Sequence, residues 1–267
     1  MKSEDVKRFG VIIFESLPTN ERKTGYSLYT TTLRYKQFED NVLHLEYYDI
    51  ENREDFFNIL NKIVDEAIEN NYFYFLHFEI HGYSGGINLK NNEDVEWQEI
   101  IPIIRKLNVH YKNALGLYLA VCKGATIMSN TDFNDRAPFG FIVANTDDLN
   151  QDEILLGFEK FYESFFYNLD AKIAVEEFNK VVRNEINELE HITSKHFIDM
   201  VCDVERPTAD REKLLSTIKK QLEKKIPYFT SLTIDTQKSI LEIELKKISD
   251  ECKSLKSHFL MYDLKEL

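Results

Sequence analysis

The sequence predicts an α/β fold with a mainly parallel central sheet and a helical extension at its carboxyl end. Two observations lead there: short apolar runs alternate with segments of helical period through the first 205 residues, and after Pro207 the strand-like runs give way to long charged helical patterns. With 267 residues and 43% apolar content, the chain is large enough to bury a full core. We therefore expect an α/β domain over residues 1–205 and a helical extension over 206–267.

Residues 9–14 (FGVIIF) read as the first strand and 43–50 (LHLEYYDI) as the second, with a helix over 26–38 despite three consecutive threonines. Phe56, Leu60, Ile63, Val64 and Ala67 recur at helical spacing through 54–69. A third strand is expected over 72–80, a helix over 97–107, and a fourth strand over 114–121 (ALGLYLAV). The fifth, 139–144 (FGFIVA), leads into a helix with Ile154, Leu155, Phe158, Phe161, Tyr162 and Phe165 on one face. Residues 196–202 (HFIDMVC) read as a sixth strand. In the extension, one helix carries Leu214, Leu215, Ile218 and Leu222. The next places Leu241, Leu245, Ile248, Cys252 and Leu255 at steps of four and three, close to the period of a helix lying along another helix. A helical hairpin is expected, packed on the main domain or on itself, or offering a surface for self-association or a regulatory protein.

Charge and composition exclude several roles. The balance of 33 basic against 46 acidic residues, net -13, repels polyanions, so neither nucleic acid nor anionic membrane is an expected partner. No apolar run approaches the roughly 18 to 20 residues that span a bilayer, and the first ten residues carry no signal core, so the expected location is the cytoplasm. Cys122, Cys202 and Cys252 are too few and too scattered for a disulfide framework or a paired-cysteine zinc site. Any cysteine with a chemical role is expected to act alone.

The stretch "NYFYFLHFEIHGYSGG" (71–86) suggests what that role is. In a parallel sheet, ligands gather beyond the carboxyl ends of the strands. His81 stands at that end of the third apolar run, and Cys122 stands at the same end of the fourth, in "LYLAVCKGA". If the two strands are parallel neighbours, an imidazole and a thiol emerge together. Such a pair is a nucleophile with its base: a thiol of ordinary pKa about 8.5 becomes reactive beside an imidazole. Gly82 lets a substrate approach its backbone N–H, and the N–H of Cys122 offers a second donor for a developing oxyanion.

These motifs resemble the caspase-like cysteine peptidases, the group of caspases, metacaspases, gingipains and separase, and most closely the bacterial CHAT proteases. The likeness rests on a strand ending in His-Gly ("FEIHG") and a later strand ending in Cys-x-Gly ("LAVCKGA"). "YSGGINL", "EWQEIIPIIRKL" and "FIVANTDDLNQDEILLGFEKFYESFF" are similar to further elements of the CHAT proteins, and the likeness extends over residues 5–205. It implies a three-layer α/β/α fold, a catalytic dyad of His81 and Cys122, an oxyanion hole from Gly82 and the Cys122 amide, no cofactor and a protein substrate, and it allows, without showing, a role in bacterial defence. The sequence departs from the caspases in lacking a glutamine two before the cysteine. It departs from metacaspases in having Ala120 where they carry an acidic residue that reads a basic substrate side chain. Asp147, Asp148 or Asp152 is the nearest substitute for that acid, although an acidic cluster before a helix also serves as an N-cap.

Three other readings compete. His77, Glu79 and His81 alternate along one strand and so share a face, as a two-histidine, one-carboxylate metal set does, with Cys122 as a further ligand. That would make the protein a metal-dependent hydrolase, but His77 and Glu79 lie inside an apolar run, where Glu79 can instead pair with His77 or orient His81. "GYSGG" matches the Gly-x-Ser-x-Gly elbow around Ser84, yet no helix follows it before about residue 95. Finally, a caspase-like fold can serve as a non-catalytic interaction module. Trp97 is read as a core anchor.

Overall fold

The computed structural model describes residues 8–39, 43–148, 150–183, 188–202, 208–226 and 228–265. The described residues fall into two compact units, one comprising Met1–Asp132 with Arg136–Ser194 and the other Phe133–Asp135 with Lys195–Leu267. The boundary expected at 205/206 lies outside the described residues.

The first unit is an α/β fold around a mixed, mainly parallel sheet. Its strands are β1 (Arg8–Ser16), β2 (Leu43–Asp49), β3 (Tyr72–Tyr83), β4 (Gly86–Asn88), β5 (Asp94–Glu96), β6 (Gly116–Ala120), β7 (Phe141–Ala144) and β8 (Glu190–Thr193). The main order is β2-β1-β3-β6-β7-β8, with β4 and β5 forming a small antiparallel ribbon off β3. Only β8 runs antiparallel to its neighbour within the main order. Parallel strands buried on both faces need apolar residues at successive positions, and β1 supplies them. Ile12 and Phe14 join Leu76, Phe78, Leu117 and Leu119 on one face, while Val11 and Ile13 join Phe75, Tyr118 and Val143 on the other.

Helices complete each face. The first face packs against α3 (Arg53–Asn70), through Phe56, Leu60, Ile63 and Val64, and against α4 (Trp97–His110), through Trp97, Ile100, Ile101, Ile104 and Leu107. Asn52 caps α3 by accepting from the Asp55 amide at 3.0 Å, and Asn71 closes it in the left-handed conformation. Glu96 and Glu99 form a capping box on α4. The second face packs against α1 (Thr24–Leu28), α5 (Gln151–Asn168) and α6 (Ala171–Asn179). Phe158, Phe161, Tyr162 and Phe165 are the expected apolar face of α5.

The expected helix over 26–38 exists as α1, a π-helical turn over Tyr29–Leu33, and α2 (Arg34–Glu39). Threonine hydroxyls bond back to carbonyls a turn earlier, Thr30 to Tyr26 at 2.9 Å and Thr31 to Ser27 at 2.7 Å, a competition with the backbone that distorts helices. The sixth strand expected over 196–202 is instead helix α7 (Ser194–Cys202), and the sheet's last strand is the preceding EHIT of β8.

In the second unit, α8 (Thr208–Lys225) and α9 (Ile234–Phe259) form a hairpin, followed by the short α10 (Tyr262–Lys265). Ile218 and Leu222 of α8 pack with Phe229, Leu241, Leu245 and Ile248, part of the seam read from the sequence, whereas Cys252 and Leu255 do not belong to this cluster. The side chains of Leu214 and Leu215 lie outside the described residues. No helix among the described residues is long and apolar enough to cross a membrane.

Candidate active site

The central strands set the level of the two key residues. The β3–β6 register pairs Leu76 with Leu117 and Glu79 with Ala120, an offset of 41 positions (117 − 76). The same offset separates His81 from Cys122, which lies two residues beyond the end of β6. Gln151 and Ile154 of α5 line the same pocket as both residues. Close chain approach persists at this level, because a Cβ added to Gly82 would lie 2.4 Å from the Cys122 carbonyl oxygen and 3.3 Å from its nitrogen. His81 and Cys122 line a single small cavity of about 40 Å³, together with Glu79, Ala120 and Gln151. A larger cavity of about 430 Å³ opens at the amino ends of β1 and β2, near Phe9 and Leu43, but neither imidazole nor thiol lines it.

Each member is held by local structure. His81 presents Nε2 to Glu21 Oε2 at 2.9 Å, with its side chain 41% exposed. Glu21 comes from the β1–α1 loop, where its amide bonds to the Pro18 carbonyl at 3.0 Å. The Gln151 side-chain amide donates to the same Glu21 oxygen, and Arg22 pairs with Asp152 at 3.1 Å, so this loop is tied to the first turn of α5. A carboxylate oxygen accepts hydrogen bonds, so Nε2 faces an acceptor here and Nδ1 is the ring nitrogen left for another partner.

Cys122 is half-buried, immediately before Lys123, whose φ of 57° turns the chain out of β6. Lys123 donates its amide to the Asp147 carbonyl at 2.8 Å, Gly124 to Val121 at 3.0 Å and Ala125 to Asn145 at 3.0 Å. The bonds to Asp147 and Asn145 anchor the turn to the loop after β7. Trp97, fully buried, donates Nε1–H to Thr126 in the same turn at 3.2 Å.

Beneath the cavity lies a buried polar network. Glu15 of β1 and Glu79 of β3 are register partners, and both are almost wholly enclosed. Glu15 accepts from the Gly25 amide at 2.7 Å and from the Tyr47 hydroxyl at 2.6 Å. Glu79 accepts from Thr24 Oγ1 at 2.8 Å and meets His77 Nε2 at 3.1 Å, while His77 Nδ1 meets the Tyr162 hydroxyl at 2.9 Å. Burial pushes the Glu15 carboxyl above its ordinary value, and the neighbouring Glu79 charge adds to the effect. The Tyr47 and Gly25 hydrogen bonds pull the other way.

Several sequence expectations take definite places in this arrangement. Glu79 pairs with His77 and not with His81, whose partner is Glu21. Both His77 nitrogens are thus engaged within the fold, and among the described residues no group of three or more His, Cys, Asp or Glu is arranged to hold a metal ion. Ala120 lines the cavity, whereas Asp147, Asp148 and Asp152 do not. Asp147 carries the backbone anchor of Lys123, Asp148 pairs with the Lys123 ammonium at 3.5 Å, and Asp152 pairs with Arg22. The cap of α5 is Asn150, which accepts from the Asp152 amide at 3.0 Å. Ser84 sits exposed at the tip of the β3–β4 hairpin and not at a strand-to-helix elbow.

Glu21 is the residue that sequence reasoning did not find. Its signal was its place alone, a loop at the carboxyl end of the first strand, on the edge where His81 and Cys122 were expected. No protein-family model matches the chain, and no curated protein sequence matches it either.

Proposed function

We propose that this protein is a cysteine endopeptidase of caspase-like, three-layer fold that cleaves a partner protein in the cytoplasm. One observation carries the reading: His81, in β3, and Cys122, just beyond the end of the neighbouring parallel strand β6, line one cavity. Glu21 adds support as a carboxylate that meets the imidazole at Nε2 and leaves Nδ1 for another partner.

In this reaction the Cys122 thiol gives its proton to His81 Nδ1, and the thiolate attacks the scissile carbonyl. The imidazolium, steadied by Glu21, then protonates the leaving amine. Water, deprotonated by the same imidazole, releases the acyl group from sulfur. The Gly82 and Cys122 amides are the donors assigned to the oxyanion, by resemblance to the caspase-like peptidases and by their adjacency across the two strands. No cofactor takes part in these steps.

A peptide bearing a thiol-directed electrophile tests the reading, combined with cleavage profiling on a peptide library. The expected result is labelling of Cys122 in the wild-type protein, its loss in His81→Ala, and cleavage that disappears in Cys122→Ser. Equal labelling in wild type and His81→Ala, with no peptide cut, would overturn the proposal in favour of a non-catalytic module.

A further inference from the structure

The other two cysteines, 50 positions apart in sequence (252 − 202), meet in the helical unit. Helices α7 and α9 run antiparallel there, as two contacts independent of the cysteines establish. Phe133 meets both Phe197 of α7 and Phe259 of α9, in tilted pairs with ring centroids at 4.8 and 5.4 Å. Asp199 of α7 accepts from Lys256 of α9 at 2.8 Å. Moving along α7 from 197 to 199 therefore moves back along α9 from 259 to 256. One further turn on each helix, three residues forward and four back, arrives at Cys202 and Cys252 on the facing sides. The two side chains interact directly.

From this geometry we propose that Cys202 and Cys252 are a redox modification site, closing to a reversible disulfide when a hydroperoxide reaches the helical unit. Access and reactivity differ between the two thiols. Cys252 is half-buried and within reach of solvent, whereas Cys202 is only 5% exposed. Cys252, the more exposed of the two, is therefore the sulfur that meets the peroxide first, while burial pushes the Cys202 thiol up to about 11. The groups facing the pair are the Lys256 ammonium, which favours thiolate, and the Asp199 carboxylate, which disfavours it and is itself neutralised by Lys256 and by Lys195 at 2.6 Å.

The chemistry balances in two steps. The Cys252 thiolate displaces hydroxide from hydrogen peroxide and becomes a sulfenic acid. The Cys202 sulfur then attacks the Cys252 sulfur and loses its proton, and the sulfenic oxygen leaves as water. Two thiols are oxidised and one peroxide is reduced to two waters. A dithiol reductant reverses the bond by exchange. The resulting cross-link ties α7 to α9 independently of the peptidase reading, since Cys122 takes no part.

The test uses the full chain treated with excess hydrogen peroxide, alkylated, and digested without reduction for mass spectrometry. A linked peptide joining Cys202 to Cys252, about 2 Da lighter than its two free-thiol parts, is expected in wild type and in Cys122→Ser, and it should vanish on addition of dithiothreitol. In Cys202→Ser the sulfenic acid has no resolving thiol, so dimedone labelling of Cys252 should rise several-fold over wild type. The proposal is overturned if Cys252 reaches sulfinic acid while Cys202 remains fully alkylatable in wild type. Dimedone labelling that is already maximal in wild type would overturn it equally.

Discussion

Replacing Gly82 by alanine tests the strand juxtaposition on which the candidate site rests. The added methyl would lie 2.3 Å from Val121 Cγ1 and 2.4 Å from the Cys122 carbonyl oxygen, where ordinary contacts begin at 3.4 Å. One of the two atoms belongs to backbone and cannot swing aside, so the chains around residues 82 and 122 must part by about 1 Å. Overpacking of this kind costs about 3 kcal/mol, a large share of the stability of a typical domain. Urea denaturation followed by circular dichroism measures the loss, with Gly85→Ala as the control. At Gly85 the new methyl meets only the half-buried Tyr83 ring, at 2.7 Å, which can turn away. In whatever Gly82→Ala protein folds, labelling of Cys122 should slow by about 100-fold, the usual cost of a 1 Å misplacement in a reacting pair. A Gly82→Ala protein within about 0.5 kcal/mol of wild type and labelled at the wild-type rate would refute the close approach of the two strands.

Other perturbations address the surroundings of the site. On the proposed peptidase reading, Glu21→Ala should lower kcat about 10- to 100-fold with KM little changed, as for loss of a charged hydrogen bond that only positions the imidazole. Glu21→Gln, which keeps an acceptor, should recover part of that loss, and equal defects in the two variants would remove Glu21 from the mechanism. Glu15 has a folded-state pKa raised above its ordinary 4.5, so its contribution to stability is full below 4.5 and is lost as the pH rises through the higher folded value. Glu15→Gln should therefore gain on wild type as the pH rises from about 4.5 towards neutrality, read from melting temperatures across that range, and parallel curves would contradict the burial argument. Tyr118 is fully buried, and its hydroxyl has no hydrogen-bond partner among the described residues. Tyr118→Phe should accordingly leave stability unchanged or raise it by about 1 kcal/mol, and a loss of 2 kcal/mol or more would reveal a partner for that hydroxyl.

How much could be read from the sequence depended on how local the cause was. Strands β1, β3, β6 and β7 were legible because sheet strands covered on both faces must be apolar throughout, and the amphipathic face of α5 was legible because it repeats every turn. The apolar run at 196–202 was misread because a short run carries no period that separates strand from helix. The strand beside it, β8, has four residues of mixed polarity and is specified by its pairing with β7. Helix α6 left a signal in Asp170, which caps it, and in Ala171, Ala174, Val175 and Phe178 at helical spacing. At the site, His81 and Cys122 were legible from strand ends, but the tie from Glu21 to His81 spans 60 positions and exists only once the sheet has formed. Likewise, the role of Glu79 was settled by His77 and Thr24, one of them on a separate helix.

The bond from Gln151 to Glu21 spans 130 positions, and this has a consequence for the timing of synthesis. A ribosome must translate more than half the chain before the loop that steadies the imidazole can find its anchor. Until α5 emerges, a nascent chain holds the thiol and the ring without the brace that orients them. Any hydrolytic power the site has would then depend on a segment made after both the thiol and the ring, and the first half of the growing polypeptide would be spared that chemistry.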